Sequence, residues 1–356
     1  MTILVTGLCG FVGSRLAESL LARREGLAII GIDNLIRPGS ETNRARLNKL
    51  GIAVTHGDLR QASDLDSLPR ADWAIDAAAN ASVLAGVDGK ASSRQLMQHN
   101  LGGSIETLEY AKRHGAGFVL LSSNRVYSVN ALAALPVRVK DNAFELDAAR
   151  PLPTGVSAAG IGPEFSTAAP ISLYGASKLA SEIVALEYGS AFGFPVWINR
   201  CGVMAGPGQF GTPDQGVFSY WIHAHKRRLP LRYIGFEGHG HQTRDLLDPA
   251  DLAALTLAQM DRGRADGRRL YTAGGGPANA VSLRQLNDWC DARFGPHTPA
   301  PDLRPRPFDI PWAAMDNEFA SADFGWRPER SVQQILGDIA AHADSHPDWL
   351  EISGVL

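Results

Sequence analysis

The stretch that decides the fold opens the chain and reads Thr2-Ile-Leu-Val-Thr-Gly-Leu-Cys-Gly-Phe-Val-Gly13. Its apolar start predicts a buried strand, and the pattern over residues 11–21 predicts an amphipathic helix. Between the two, Gly7 permits a tight turn, Gly10 lets the backbone approach a ligand, and Gly13 lets the helix pack close to the strand. Because the N-terminus of such a helix presents free N–H groups, the stretch predicts a pyrophosphate site.

The second predicted strand ends in a carboxylate. Asp33 closes the second predicted strand about 20 residues after Gly13, where it can bind the hydroxyl groups of an adenosine ribose. A negative charge there repels a 2′-phosphate, so NAD is favoured over NADP. Glycine also occurs in plain strand-to-helix turns, but its position between strand and helix, with Asp33 beyond, predicts dinucleotide binding.

The first half of the chain repeats the order of apolar strand and amphipathic helix. Short apolar runs at 28–32, 52–54, 73–75 and 118–121 are typical of buried strands, with helical patterns between them. The alternation predicts a doubly wound α/β fold, in which helices cover both faces of a parallel sheet.

We expect two parts of unequal size. A Rossmann domain is predicted over residues 1–200. A smaller C-terminal α/β substrate-binding lobe is predicted over residues 201–356, part of which returns to the Rossmann sheet. Residues 128–172 show no clear period, and so long an irregular stretch predicts a functional insertion near the active site.

Composition limits the possible partners. The 356 residues carry a formal net charge of −3, which argues against nucleic acid and anionic membranes. The cysteines are scattered and odd in number, which fits a reducing compartment, and no apolar run is long enough to span a bilayer. We therefore expect a cytoplasmic protein. The histidines at 223–225 and 239–241 lack partners at a suitable spacing, so no metal site is expected.

Tyr174-Gly-Ala-Ser-Lys178 opens a long predicted helix. A tyrosine and a lysine four residues apart share one helix face by chance in many proteins. They also suit catalysis, because the ammonium lowers the phenol pKa and makes a tyrosinate available near neutral pH. Together with the spacing of Gly7, Gly10 and Gly13, the motif resembles the extended short-chain dehydrogenase/reductase superfamily of NAD-dependent epimerases and dehydratases. The resemblance implies that Tyr174 and Lys178 are catalytic and that the protein is a homodimer.

Ser122-Ser-Asn-Arg-Val-Tyr127 follows the fifth predicted strand, at the edge where open α/β sheets bind ligands. A serine-rich strand end need have no function, but the resemblance makes Ser123 the third catalytic residue, hydrogen-bonded to the oxygen that becomes a carbonyl. Dehydratases of the superfamily carry Asp-Glu at the next two positions. This chain has Asn124-Arg125, and neither side chain supplies a carboxyl proton, so we expect no dehydration.

The resemblance also implies a complete cofactor site. The residues that would contact NAD are Gly7, Gly10, Phe11, Val12, Gly13, Asp33, Asn34, Asp58, Leu59, Ala77, Ala78, Ala79, Asn100, Ser122, Tyr174 and Lys178. Asp76 stands where relatives often have histidine, and we expect a structural role for it.

Four segments resemble enzymes of this family that invert C2 of a cytidine-diphosphate hexose. They are 33–40, 123–127, 209–216 and 240–245. We therefore expect a nucleotide-sugar epimerase that inverts C2 of a cytidine-diphosphate hexose through a transient keto intermediate, and we expect the sugar to meet the insertion as well. The residues expected to contact the substrate are Asn124, Gln209, Gln215, Arg244 and Arg306.

The two arginines are expected to bind the diphosphate, because a guanidinium fork matches phosphate oxygens. Two structural Arg–carboxylate pairs are the alternative. Three alternatives for the reaction also stay open: inversion at C4, net oxidation or reduction, and NAD binding without catalysis.

Overall fold

The chain alternates strands and helices, and the computed structural model describes residues 1–87, 89, 92–264 and 267–356. The strands are β1 (Thr2–Thr6), β2 (Ala28–Asp33), β3 (Ala53–His56), β4 (Trp73–Asp76), β5 (Gly117–Ser123), β6 (Val137–Lys140), β7 (Ala143–Leu146), β8 (Val156–Ser157), β9 (Gly160–Ile161), β10 (Val196–Cys201), β11 (Val203–Met204), β12 (Arg232–Ile234), β13 (Thr243–Leu247), β14 (Leu270–Ala273), β15 (Ala280–Ser282), β16 (Ala300–Asp302) and β17 (Trp312–Ala313).

The helices are α1 (Phe11–Arg23), α2 (Ser40–Lys49), α3 (Ala62–Asp66), α4 (Ser93–Met97), α5 (Gly103–His114), α6 (Val129–Ala133), α7 (Ser172–Phe192), α8 (Val217–Lys226), α9 (Pro249–Arg262), α10 (Leu283–Phe294), α11 (Glu318–Phe324), α12 (Val332–Ser345) and α13 (Trp349–Ile352). A π-helical turn, Gln98–Gly102, joins α4 to α5. None of the helices in the described residues combines the length and the apolar character needed to cross a membrane.

Seven parallel strands form the central sheet, in the order β3-β2-β1-β4-β5-β10-β14. Apolar side chains of α1, α2, α9 and α11 pack on one face, and those of α3, α5 and α7 pack on the other. Strands β4, β5 and β10 are buried along their whole length, as expected for a sheet covered on both sides. The doubly wound α/β fold predicted from the sequence is confirmed.

The strand order reverses beside β1. From β1 the chain builds outward through β2 and β3 on one side, and through β4, β5, β10 and β14 on the other. At such a switch point the loops that follow neighbouring strands separate, and they leave a crevice at the carboxyl ends of the strands. The fold therefore places a ligand site where the glycine-rich turn follows β1.

The C-terminal half contributes to both parts of the molecule. Strand β14 pairs with β10 at the edge of the central sheet. A second, smaller sheet is built around β13, which pairs with β11, β15 and β17. An apolar cluster joins this sheet to α8, α10 and α12. The second sheet and its helices form a lobe above the carboxyl ends of the central strands.

Residues 128–172 contain more regular structure than their sequence suggested. They form α6, the hairpin β6–β7 and the two-residue strands β8 and β9. Strands of two to four residues are too short to show a hydrophobic period, so the pattern did not predict them. Apolar side chains of the segment pack with those of β17. The residues after β17 bond to β9, where the Ile161 N–H donates to the Ala314 carbonyl at 2.8 Å and the Asp316 N–H donates to the Ile161 carbonyl at 3.0 Å.

Candidate active site

A cavity of about 900 Å³ runs along the carboxyl ends of the central strands and continues between the sheet and the C-terminal lobe. Its volume lies near the upper end of the range for small-molecule sites. The loops after β1, β2, β3 and β4 line one side, and residues 209–210, 213–218 and 306–309 line the other. Two ligands that meet near the end of β5 could therefore share it.

Most of the predicted site residues line this cavity. They are Gly7, Gly10, Phe11, Val12, Gly13, Asp33, Asn34, Asp58, Leu59, Ala77, Ala78, Ala79, Ser122, Ser123, Asn124, Tyr174, Gln209, Gln215, Arg244 and Arg306. Two predicted residues, Asn100 and Lys178, are buried and do not belong to its lining.

The glycine-rich turn leaves no room for side chains. Gly7 has a φ of +62°, and a Cβ atom on it would lie 2.8 Å from the Cα atom of Ala78. A Cβ atom on Gly13 would lie 2.3 Å from the Gly7 carbonyl oxygen. Helix α1 begins next to this turn without a side-chain cap, so its first N–H groups remain available to an anion. The turn has the shape and polarity of a pyrophosphate cradle.

Asp33 is held in place at the end of β2. Its carboxylate accepts hydrogen bonds from the N–H groups of Cys9 and Leu35, each at 2.8 Å. Burial raises the pKa of Asp33, and these backbone bonds act in the opposite direction. The Cys9 thiol is fully buried, and burial raises its pKa to about 12, so the thiol is a packing group.

Asp58 is fixed on the same side of the cavity. It pairs with Arg60 at 2.6 Å and accepts a hydrogen bond from the Asn34 side chain at 3.2 Å. The Arg60 hydrogen bond holds the pKa of the Asp58 carboxyl well below its usual range. The loops after β2 and β3 are thereby joined at the cavity wall.

Ser123 and Tyr174 come together because α7 packs directly on the turn after β5. The first turn of α7 carries Tyr174, and the end of β5 carries Ser123. The Ser123 side chain is close enough to lower the pKa of the Tyr174 phenol. Ser123 Oγ also accepts a hydrogen bond from the Arg125 N–H at 3.1 Å. Both hydroxyl-bearing residues border the cavity.

Burial opposes the tyrosinate that the sequence analysis expects near neutral pH. It raises the pKa of Tyr174, while Ser123 and the charge of Arg125 lower it. Burial also lowers the pKa of Lys178, against the attraction of Asp76. The helical spacing correctly suggested a shared face, but it carried no information about the cost of burying both ions.

A buried ion pair lies behind Ser123 and Tyr174. Glu182 and Arg200 meet at 2.7 Å, and the Ser122 hydroxyl donates to the same carboxylate. Ser122 borders the cavity as predicted, yet its hydroxyl is committed to Glu182. The sequence analysis missed both members of the pair. Glu182 lies eight residues after Tyr174 and four after Lys178, so it shares their helix face, and this spacing was the available signal.

Asn100 connects two walls of the site. Its side-chain oxygen accepts a hydrogen bond from the Asn80 N–H at 2.8 Å. Its amide group donates to the Asn80 carbonyl at 3.2 Å and to Ser177 Oγ at 3.0 Å. The residue predicted as a cofactor contact therefore fixes the loop after β4 against α7.

Asp76 holds strands and helix together below the site. It accepts hydrogen bonds from Thr6 Oγ1 at 2.8 Å and from Ser104 Oγ at 2.6 Å, and it is almost completely buried. These contacts give Asp76 a structural role.

Segment 306–309 brings three arginines together, because Arg306 belongs to it and Arg244 and Arg125 bond to it. Arg244 donates to Asp309 Oδ1 at 3.1 Å and to the Ile310 carbonyl at 2.7 Å. Arg306 donates to Asp214 at 3.3 Å. Arg125 donates to the Phe308 carbonyl at 3.4 Å. The carboxylate pairs weighed as the alternative role of Arg244 and Arg306 are present, and all three arginines also line the cavity.

The two glutamines lie in the loop that follows β11. Gln209 donates to the Met204 carbonyl at 2.9 Å, and its side-chain oxygen is buried without a hydrogen-bond partner in the described part of the chain. Gln215 accepts a hydrogen bond from Arg37 at 3.1 Å. Arg37, which the site prediction omitted, therefore ties the loop after β2 to the substrate side of the cavity.

The insertion does not line the cavity. Residues 126–173, all of which the structure describes, contribute nothing to its lining. The segment packs against β17 and supports the wall that holds residues 306–309, and its contact with the sugar stays a prediction. Within the described ranges, no three His, Cys, Asp or Glu side chains are grouped so that they could hold a metal ion.

Comparison with known proteins settles the family. Residues 3–274 match the NAD dependent epimerase/dehydratase family. The chain belongs to this family. It is 27% identical over 314 residues to CDP-paratose 2-epimerase of Salmonella typhi, which covers 83% of this chain and 86% of that protein. It is 26% identical over 346 residues to UDP-glucuronate 4-epimerase of Thermodesulfobacterium geofontis, covering 94% and 93%.

A solved epimerase structure has the same fold. The structure of UDP-glucuronic acid 4-epimerase from Bacillus cereus, in complex with UDP-glucuronic acid and NAD, superposes with a TM-score of 0.74 at 23% identity, covering 97% of this chain and 99% of that one. Membership shows that the protein is an enzyme and that NAD is its cofactor, as the sequence predicted. Two features of the glycine-rich turn fit that cofactor. Neither Gly7 nor Gly13 has room for a side chain, and α1 begins without a side-chain cap.

Proposed function

We propose that this enzyme is a nucleotide-sugar epimerase that inverts C2 of a cytidine-diphosphate hexose through a transient keto sugar. The observation that carries the proposal is the pair Asn124-Arg125, which directly follows Ser123 at the cavity wall. Dehydration of a sugar needs a carboxylic acid to protonate the departing hydroxyl, and these two positions provide none. They provide instead an amide and a cation beside the catalytic hydroxyls.

The position of the cations favours C2 over C4. C2 is bonded to the anomeric carbon, which carries the diphosphate, whereas C4 lies on the far side of the ring. An enzyme that reacts at C2 must therefore bring phosphate oxygens close to its catalytic tyrosine. Arg125, Arg244 and Arg306 lie close together, and we call them the arginine group. Arg125 is two residues after Ser123 in the chain, so it brings this positive charge next to the proposed catalytic residues.

The residues of the chain divide the work as follows. Tyr174 accepts the proton of the sugar hydroxyl and returns it after inversion. Ser123 donates a hydrogen bond to the oxygen that becomes a carbonyl, which stabilises its developing charge. Lys178 supplies positive charge behind Tyr174 and holds the nicotinamide ribose. NAD, when bound, supplies the acceptor and donor of hydride. The keto sugar must present its other face before inversion is complete, and the sugar undergoes no net oxidation.

Two remaining groups orient the substrate. Arg244 and Arg306 bind the diphosphate, and Asn124 and Gln209 hydrogen-bond sugar hydroxyl groups. The unpartnered, buried side-chain oxygen of Gln209 supports this assignment, because such an acceptor costs free energy until a donor arrives. Gln215 holds the loop that closes over this part of the cavity.

Inversion at C4 is the second candidate. It is favoured by the similarity to UDP-glucuronate 4-epimerase, which extends over 94% of the chain at nearly the same identity as the C2-epimerase relative. Both reactions use the same catalytic residues, so the difference lies in how far the sugar reaches past Tyr174.

Product analysis tests the proposal. Purified, NAD-loaded protein is incubated with cytidine-diphosphate and uridine-diphosphate hexoses, and the products are assigned by nuclear magnetic resonance. A product that differs from its substrate only at C2 supports the proposal. A product inverted at C4 supports the second candidate, whereas loss of water or stoichiometric accumulation of NADH contradicts both.

A further inference from the structure

Arg125 occupies the boundary between the catalytic pair and the arginine group. Its backbone N–H donates to Ser123 Oγ at 3.1 Å, and its carbonyl oxygen faces Gly175 in the first turn of α7. Its side chain extends the other way, where one guanidinium nitrogen donates to the Phe308 carbonyl at 3.4 Å. The backbone of one residue is thus fixed beside the catalytic hydroxyls, and its guanidinium lies beside residues 306–309.

This guanidinium has more donors than protein partners. A guanidinium carries five N–H donors, and within the described residues the 3.4 Å bond to Phe308 is its one hydrogen bond, at the long end of the accepted range. The carboxylate that attracts it is Asp309, whose Oδ1 already accepts from Arg244. Since Arg125 lines the cavity, its remaining donors are available to a ligand.

The surrounding charge is positive. Arg125, Arg244 and Arg306 lie close enough to repel one another, with Asp309 and Asp214 as the neighbouring carboxylates. Burial and the charge of Arg244 together lower the pKa of Arg125 to about 10. Three cations that share two carboxylates on a cavity wall are stabilised by an anion that enters the cavity.

The geometry points to the phosphate that this residue binds. We propose that Arg125 binds the β-phosphate of the substrate and thereby holds the sugar carbon next to the anomeric centre against Tyr174. The β-phosphate is the one bonded to the sugar, and Arg125 is the member of the arginine group nearest in the chain to Ser123. The inference rests on the proposed function, because it requires a nucleotide-diphosphate sugar.

Nucleotide binding tests the inference without requiring turnover. Calorimetry on the NAD-loaded protein compares CDP with CMP, and UDP with UMP, because each pair differs by the β-phosphate. We expect Arg125→Gln to weaken binding of the diphosphate that the wild type prefers by about 10- to 100-fold and to leave the monophosphate unchanged. Arg125→Lys, which keeps the charge but loses the fork, should show a smaller loss, and it carries the test if the glutamine variant does not fold.

A surface arginine serves as the matched control. Arg113→Gln in α5 removes an exposed guanidinium that pairs with Asp66, and it should leave all four affinities unchanged. Equal losses for diphosphate and monophosphate, or no loss for either, overturn the inference. It is also overturned if Arg125→Gln weakens UDP-glucuronate but neither UDP-glucose nor UDP, because the anion would then be a sugar carboxylate. A wild-type protein that binds none of these nucleotides contradicts the proposed function instead.

Discussion

The Cα atom of Gly175 faces the Arg125 carbonyl oxygen so closely that a Cβ atom on residue 175 would lie 2.1 Å from that oxygen. This contact joins the first turn of α7, which carries Tyr174, to the turn after Ser123. Ser123 and Tyr174, the proposed catalytic residues, therefore share one support, and the distance between them depends on a glycine outside the cavity lining.

Gly175→Ala tests this support. Because the contact is with backbone, the added methyl group must push α7 away from the turn, at a cost of about 1–3 kcal/mol in unfolding free energy. We expect a lower Tm and a loss of turnover, measured by thermal unfolding and product formation.

The matched control is Gly337→Ala in α12, where a Cβ atom meets no atom within 4 Å. Alanine there should stabilise the helix by about 0.5–1 kcal/mol and leave turnover unchanged. Equal behaviour of the two variants would show that the Gly175 contact does not position the catalytic pair.

Tyr174→Phe removes the proposed proton acceptor and keeps the ring. We expect turnover to fall by about 10²- to 10⁴-fold, while the bound NAD content of the purified protein stays the same. Tyr188→Phe on the same helix removes a hydroxyl that donates to Glu109, and it should leave turnover unchanged. Full activity in Tyr174→Phe would remove this residue from the chemistry.

Gly7→Ala tests the cofactor cradle. The residue needs a positive φ, and a side chain on it meets the Ala78 backbone, so we expect loss of bound NAD. Gly51 has a similar φ of +78°, and a Cβ atom on it meets no atom within 4 Å. Gly51→Ala therefore introduces the same backbone strain without a steric clash. Release of NAD from both denatured proteins, quantified by chromatography, separates the two effects. NAD retained in Gly7→Ala at the wild-type level would contradict the assignment.

Stability should depend on pH through Asp245. This fully buried carboxylate accepts hydrogen bonds from the N–H groups of Gly276 and Met315, each at 3.0 Å, and its second oxygen has no hydrogen-bond partner among the described residues. Burial raises its pKa to about 6. Since the native state holds the proton more tightly than the unfolded chain, this residue favours folding below about pH 4, and its contribution is lost as the pH rises to about 6.

Asp245→Asn isolates that contribution. From pH 4 to pH 7, the unfolding free energy of the wild type should fall by roughly 2–3 kcal/mol relative to that of the variant. Urea unfolding across this range measures it. A difference that does not vary with pH would show that Asp245 has an ordinary pKa.

The sequence predicted what local patterns encode. The turn from Gly7 to Gly13 and Asp33 could be placed because strand, turn and helix follow one another in the chain. The contact between Glu182 and Arg200 could not be predicted, because the two residues come from a helix and a strand that meet only in the folded protein. The raised pKa of Tyr174 was missed for the same reason, because burial is a property of the tertiary structure.

The insertion and Arg125 show two further limits. Residues 128–172 form strands too short to show a period, and their contact with β17 spans more than 150 residues of chain. Arg125 lay inside a segment that the resemblance singled out, but its importance follows from the distant residues 306–309, to which only the fold brings it close. Sequence patterns identified the elements of the site, and the packing between them decided which side chains meet.

Deuterium substitution at single sugar carbons tests the central claim most directly. Substrate is prepared with deuterium at C2 or at C4, and the rate of inversion by the NAD-loaded protein is compared with that of unlabelled substrate. Our account predicts a primary isotope effect for the C2 label and none for the C4 label. An isotope effect confined to the C4 label would contradict it.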